Sequence, residues 1–294
     1  MYTDLISATQ LVELLASGTP CRVFDCSFDL AQADAGAAMY AQSHIPGAVY
    51  AHLDTVLSSK GDRLLTGAAS GGRHPLPARE TFAQWLATAG FGNGMQAVVY
   101  DRQGNNFCGR LWWMLKWLGH APVAVLDGGL QAWVAHGGGT ESGPAPGFSA
   151  AASSATAIFS TAAPLLDLVD VGQVERRLGS TQQVLIDARA PARFKGEVEP
   201  LDPVAGHVPG AFNRPFSLNF NADGTFKPAA QLRAEFDALL GSRAAGAVVH
   251  HCGSGVSAIP NILARQIAGL PPGALYAGSW SEWCSDPARP VARG

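Results

Sequence analysis

The chain has 294 residues, 47% of them apolar and 15% charged, with a formal net charge of −3. This is enough for one large domain or two ordinary ones with a substantial core, and the charge gives no reason to expect nucleic acid or an anionic membrane as a partner. No apolar run reaches the roughly 18 residues of a spanning helix, and Met1-Tyr2-Thr3-Asp4-Leu5 lacks the basic and apolar stretches of a signal peptide, so a cytoplasmic location is expected.

In chain order, an amphipathic segment at 8–17 predicts a helix and the apolar run at 22–26 a strand. His44-Ile45-Pro46-Gly47-Ala48 reads as a turn. Helical patterns at 78–89 and 110–118 flank a strand at 96–101, followed by Asp127-Gly128-Gly129 and Trp133. From Gly137-Gly138-Gly139 to Ala163 the chain is rich in small residues and shows no sustained period, which predicts a linker. Beyond it come a strand at 184–188, the block His207-Val208-Pro209-Gly210-Ala211 and a helix at 229–240. A strand at 247–251, a helix at 258–268, and Ala277-Gly278-Ser279 with Trp283 complete the series.

The two series repeat each other. Val23-Phe24-Asp25 matches Leu185-Ile186-Asp187, and the two His-Ile/Val-Pro-Gly-Ala blocks match. Ala97-Val98-Val99-Tyr100 matches Ala247-Val248-Val249-His250, and Asp127-Gly128-Gly129 matches Ala277-Gly278-Ser279. Four blocks in the same order indicate a duplicated domain: a first copy over 1–143, a linker over 144–160 and a second copy over 161–294. Alternating strands and helices predict an α/β fold, each copy a mostly parallel central sheet flanked by helices. Ligands of such sheets bind beyond the carboxyl ends of the strands.

The five cysteines, Cys21, Cys26, Cys108, Cys252 and Cys284, are scattered and include no C-x-x-C pair. Neither a disulfide framework nor a metal site is expected; one reactive thiol and four packing or surface thiols is the simplest account. Cys252 directly follows a strand and opens the small-residue loop Cys252-Gly253-Ser254-Gly255-Val256-Ser257-Ala258 ahead of a helix. Backbone N–H groups in such a loop form an anion-binding nest that favours thiolate over thiol and suits a persulfide still better. A buried structural cysteine in a tight turn is the plain alternative. Cysteine phosphatases also place His-Cys after a strand, but grip phosphate with an arginine six residues later, where this chain has Ala258. Of His250 and His251, which alternate along the strand, one is expected to pack and one to face the site, neither as a catalyst.

The duplicated frame, the two His-x-Pro-Gly blocks and the cysteine loop resemble the tandem-domain rhodanese-like sulfurtransferases, closest to the 3-mercaptopyruvate branch. Gly253 and Ser254 stand where animal thiosulfate enzymes carry basic residues. The resemblance implies that the second copy is catalytic, with Cys252 taking up sulfane sulfur. The first, ending its strand in Tyr100-Asp101-Arg102, would be a degenerate copy in which Cys108 packs. It implies that Arg193 binds the donor's anionic end, while Arg189 holds the strand end. The branch's second arginine, after Glu-Pro, is replaced by Leu201-Asp202 behind Glu199-Pro200, with Lys195 as a partial substitute. Ser254, with His74 and Asp54 from the first domain, matches a proton relay proposed for the branch. The amides of Gly253, Gly255, Val256, Ser257 and Ala258 would complete the substrate site.

Arg73 and Arg110 are further basic groups that sequence does not place. Trp280 and Trp283 are expected in pocket wall and core, and His44 and His207 in structural turns. The implied reaction is transfer of sulfur from 3-mercaptopyruvate through a Cys252 persulfide to cyanide, a small thiol or a thioredoxin-like protein, in the cleft between the domains and without metal or organic cofactor. Thiosulfate as donor, or a sulfur-carrier or regulatory module with a protein acceptor, are the alternatives.

Overall fold

The structure, a computed structural model, describes residues 1–60, 68–143 and 158–294. Most of the expected linker lies outside the described residues. Two compact units are present, one formed by Met1–Ala69, Pro77–Leu165 and Ala222–Thr225, the other by Ser70–Leu76, Leu166–Asn221 and Phe226–Gly294.

The first unit contains β1 (Leu5–Ile6), α1 (Ala8–Ala16), β2 (Cys21–Asp25), α2 (Ala35–Gln42) and β3 (Val49–Tyr50). It continues with α3 (Arg79–Thr88), β4 (Gln96–Tyr100), α4 (Cys108–Trp117), β5 (Val123–Leu126) and α5 (Gly129–Ala135). The second repeats the series as β6 (Leu168–Val169), α6 (Val171–Arg176), β7 (Val184–Asp187), α7 (Pro191–Lys195) and β8 (Phe212–Asn213). Then come α8 (Ala229–Leu240), β9 (Val248–His251), α9 (Ile259–Ile267), β10 (Ala274–Tyr276) and α10 (Ser279–Trp283). The sheets are parallel, in the orders β1-β5-β4-β2-β3 and β6-β10-β9-β7-β8. These are one topology used twice.

Local signals account for the elements. Ser7 and Gln10 cap α1 reciprocally, Ser7 Oγ accepting from the Gln10 amide at 3.2 Å and Gln10 Oε1 from the Ser7 amide at 2.9 Å. Asp170 and Gln173 repeat this capping box at α6. Leu232, Phe236 and Leu240, four residues apart on α8, are its buried stripe. Every residue of β4, β5 and β9 is buried, as central parallel strands covered on both faces require. Val174, Leu185, Val249, Tyr276, Trp280 and Trp283 form the core of the second unit, so both tryptophans serve packing.

The ladders correct the repeat alignment by one position. Asp25 pairs with Tyr100 in the first sheet and Asp187 with His251 in the second. Tyr100 is therefore the counterpart of His251, not of His250, and Asp101 is the counterpart of Cys252. The turn histidines are equivalent devices: His44 stacks on Tyr40 at 3.8 Å between ring centres and His207 on Phe194 at 3.7 Å. Nδ1 of each bonds a backbone carbonyl, of Tyr40 at 2.7 Å and of Phe194 at 2.8 Å.

Candidate active site

Cys252 leaves the carboxyl end of β9, 2% exposed. Its amide donates to Ser279 Oγ at 3.1 Å, and its carbonyl accepts from the Trp280 amide at 3.0 Å. Gly255 turns the loop at φ +74°, where an added Cβ would collide with the Ala277 carbonyl. This position needs glycine both for its left-handed backbone and for its close approach. Among the described residues, the amides of Gly253, Ser254, Val256, Ser257 and Ala258 have no protein acceptor, and α9 begins behind them without a side-chain cap. Such a cluster of donors at a helix start favours a negative group.

The first copy supplies a natural control. At the position of Cys252 stands Asp101, whose fully buried carboxylate accepts from the amides of Gln103 and Asn105 at 2.9 Å each, Phe107 at 2.7 Å and Cys108 at 2.9 Å. Burial raises the Asp101 carboxyl above its ordinary value, and these four amides offset only part of that rise. The same loop, given a carboxylate, wraps it in backbone donors. Cys108 is fully buried at the start of α4, and burial pushes its thiol up; it does the same for Cys21, to about 11, and for Cys26 and Cys284.

Two basic side chains converge on the loop. A Cβ on Gly253 would lie 3.2 Å from Arg73 Nη2 and 3.4 Å from Arg193 Nη1. Arg193, on α7, donates through Nε and Nη2 to Glu199 at 3.2 and 2.6 Å, and through Nη2 to Asp202 Oδ2 at 3.2 Å. Arg73 Nη1 pairs with Asp202 Oδ1, and the Arg73 amide donates to Ser281 Oγ at 2.9 Å. Ser281 in turn donates its amide to the Gly253 carbonyl at 2.9 Å. Burial pushes the Glu199 carboxyl up, but bonds from Arg193 and from the Leu201 and Asp202 amides outweigh it and hold it low. Burial leaves Asp202 raised, with Arg73 pulling it down and Glu199 pushing it up. Beside the cysteine, Ser254 Oγ and His74 Nδ1 are hydrogen-bonded at 2.7 Å, both residues buried.

The rhodanese-like domain model matches residues 7–136 and again 170–286. The chain belongs to the rhodanese-like family. It is 42% identical over 292 residues to a Pseudomonas aeruginosa protein named "Probable 3-mercaptopyruvate sulfurtransferase", covering 99% of this chain and 98% of that one. It is 30% identical over 291 residues to the thiosulfate sulfurtransferase of Bos taurus, covering 96% and 92%. The solved structure of SseA from Escherichia coli, described as a 3-mercaptopyruvate sulfotransferase, superposes with a TM-score of 0.75 at 29% identity, covering 95% of this chain and all of that one. Relatives of this rhodanese-like chain are thus named for either donor.

Within that family frame, Cys252, Ser254, His74 and Arg193 fall together in the second unit, with the Gly253–Ala258 stretch as its loop. The segment Ser70–Leu76, assigned by sequence to the first domain, is part of that unit. Gly72, at φ +85°, fits there because a Cβ would strike the Gly278 carbonyl. Asp54 lies in the first unit, where Lys60 Nζ donates to it at 3.0 Å. Lys195 is half exposed and 3.9 Å from Glu197, so the cation beside Arg193 is Arg73 rather than Lys195.

Arg189 holds the strand end as expected, bonding Asp187 at 2.7–3.1 Å and the Gly206 carbonyl at 2.8 Å. Arg110 is buried in the first unit and donates to the Leu57 carbonyl at 3.2 Å. His250 and His251 are both fully buried, contrary to the expectation that one faces the site, and burial holds both below the usual imidazole value. Sequence reasoning missed Glu199 and Asp202 as the partners of the arginines. A signal existed: three residues separate Tyr40 from His44, whereas twelve separate Phe194 from His207, and the extra residues carry both acids.

Proposed function

We propose that the chain is a sulfurtransferase that moves sulfane sulfur from 3-mercaptopyruvate to a thiophilic acceptor through a persulfide on Cys252. The observation that carries this reading is the Ser254–His74 pair beside the cysteine loop. Cys252 attacks as thiolate and forms the S–S bond. The donor's C–S bond breaks, and its electron pair becomes pyruvate enolate. The donor's thiol proton is made good at the methylene carbon through His74 and Ser254, with Asp54 completing the relay. The persulfide anion is held by the loop amides, and Arg193 holds the donor's carboxylate. Cyanide, a small thiol or a thioredoxin-like protein then attacks the outer sulfur, and the S–S electron pair returns to Cys252. The two half-reactions give ping-pong kinetics. Five free cysteines fit a reducing, cytoplasmic setting.

Thiosulfate is the second reading, supported by Leu201 in place of the branch's second arginine. Sulfite leaves with its own electron pair, so that donor needs no protonated carbon. The test follows from this difference. Cys252→Ser is expected to abolish transfer and the persulfide adduct of about 32 Da after donor treatment. His74→Ala is expected to lower kcat/KM about 100-fold with 3-mercaptopyruvate but only a few-fold with thiosulfate. Turnover surviving Cys252→Ser defeats the persulfide route, and equal losses on His74→Ala defeat the relay.

A further inference from the structure

Asp202 occupies a revealing place. Its two carboxylate oxygens each take one guanidinium, Oδ1 from Arg73 and Oδ2 from Arg193 at 3.2 Å, while both guanidinium groups lean over Gly253, the residue after the nucleophile. A carboxylate bridging two guanidinium groups beside Cys252 is the arrangement that a bound donor carboxylate would itself adopt. We propose that Asp202 is an internal stand-in for the donor's anionic end, displaced when the donor binds, and that Arg73 is the second guanidinium of the donor clamp. This rests on the sulfurtransferase reading and adds to it the residues that set affinity for anionic donors.

Three observations separate Asp202 from its neighbour Glu199. Glu199 is locked in place: it accepts from Arg193 twice, from Arg189 Nη1 at 3.4 Å, and from the Leu201 and Asp202 amides at 3.0 and 3.1 Å. Among the described residues, the Asp202 carboxylate holds only the two arginine ends, and it sits in a stretch without helix or strand. The clamp also keeps donor groups in reserve. Arg193 Nη1 has no protein acceptor among the described residues, and neither has the buried Arg73 Nε. A donor carboxylate can therefore take over the two bonds that Asp202 gives up without dismantling the Arg193–Glu199 pair.

Charge gives the direction. Arg73 and Arg193 are balanced by Glu199 and Asp202, so an incoming anion meets a neutral cluster and competes with a carboxylate already in place. Removing that carboxylate's charge leaves a net positive clamp. Asp202→Asn is therefore expected to lower KM for 3-mercaptopyruvate about tenfold, with kcat moving less than about threefold, and to lower KM for doubly charged thiosulfate further. Asp202→Glu, which restores the charge, is expected to bring KM back towards that of the unmodified enzyme. Arg73→Gln is expected to raise KM about tenfold, both alone and when combined with Asp202→Asn, because Arg73 itself grips the donor.

The measurement is steady-state KM and kcat on the full chain, with a common cyanide acceptor and folding checked by circular dichroism. Asp202→Ser takes the place of Asp202→Asn if the latter does not fold, and Arg73→Gln tests the clamp independently of either. Unchanged KM in Asp202→Asn (or in Asp202→Ser in its place), or in Arg73→Gln, overturns the proposal while a Cys252 adduct of about 32 Da leaves the sulfurtransferase reading standing. Absence of that adduct in the unmodified enzyme overturns the reading itself, and the proposal with it.

Discussion

A carboxylate taken out of water costs several kcal/mol unless other donors replace its hydration. Asp101 is fully buried and has four backbone amides for this purpose. The carboxyl oxygens are thus part of what closes the loop before α4. Asp101→Ala is expected to strand these amides and lower the unfolding free energy by about 2–4 kcal/mol, read as a shift in the urea midpoint. A shift below about 0.5 kcal/mol would show that the loop closes without the carboxylate. At the same place in the second copy, Cys252 brings a single sulfur, and among the described residues five loop amides have no protein acceptor. The position of Cys252 and its small-residue loop after a strand was legible in sequence because strand, cysteine and glycines are contiguous. Arg73 was not legible: nothing local distinguishes a loop arginine that pairs with Asp202 from one in solvent.

Strand β9 places two imidazoles in the sheet interior, and the consequence for pH is a matter of sign. Burial holds His250 and His251 below the ordinary value of about 6.5, so the unfolded chain binds protons there that the folded chain refuses. Their contribution is fully present above pH 6.5 and is lost as pH falls towards the folded-state values. His120, lowered by burial to about 4, acts in the same direction. From pH 7.5 to 5.5 the two β9 histidines are expected to cost up to about 3 kcal/mol, seen as a falling urea midpoint; a flat profile would contradict their neutrality. The nine strands and helices given a range from sequence were read to within a residue or two, since apolar runs and four-residue periodicity are local; short elements such as β3, β8 and α2 were not read. The extra residues between Phe194 and His207 are another matter: their length was visible, but the ion pairs of Glu199 and Asp202 arise only from packing.

Across the whole chain, each unit takes in a short segment from the other half of the sequence, and both segments lie between the third strand and third helix of their own copy. Ser70–Leu76 belongs to the second unit and Ala222–Thr225 to the first, where Asn105 Nδ2 donates to the Gly224 carbonyl at 3.3 Å. The duplication was plain in the order of matched blocks, whereas this exchange leaves no periodic mark. The Ser254–His74 pair consequently joins residues 180 positions apart. Contacts of such separation form slowly, because a long loop must close before they bring any gain. On refolding from denaturant, persulfide-forming activity is expected to recover in a later phase than far-UV circular dichroism; coincident recovery would contradict this. During synthesis at about 5–20 residues per second, Arg73 and His74 leave the ribosome roughly 10–35 s before the loop they serve. The nascent chain therefore carries His74 and Asp54 of the proposed relay and Arg73 of the proposed clamp long before Cys252 and Ser254 are made, so the proposed sulfur chemistry has to wait for the last strands.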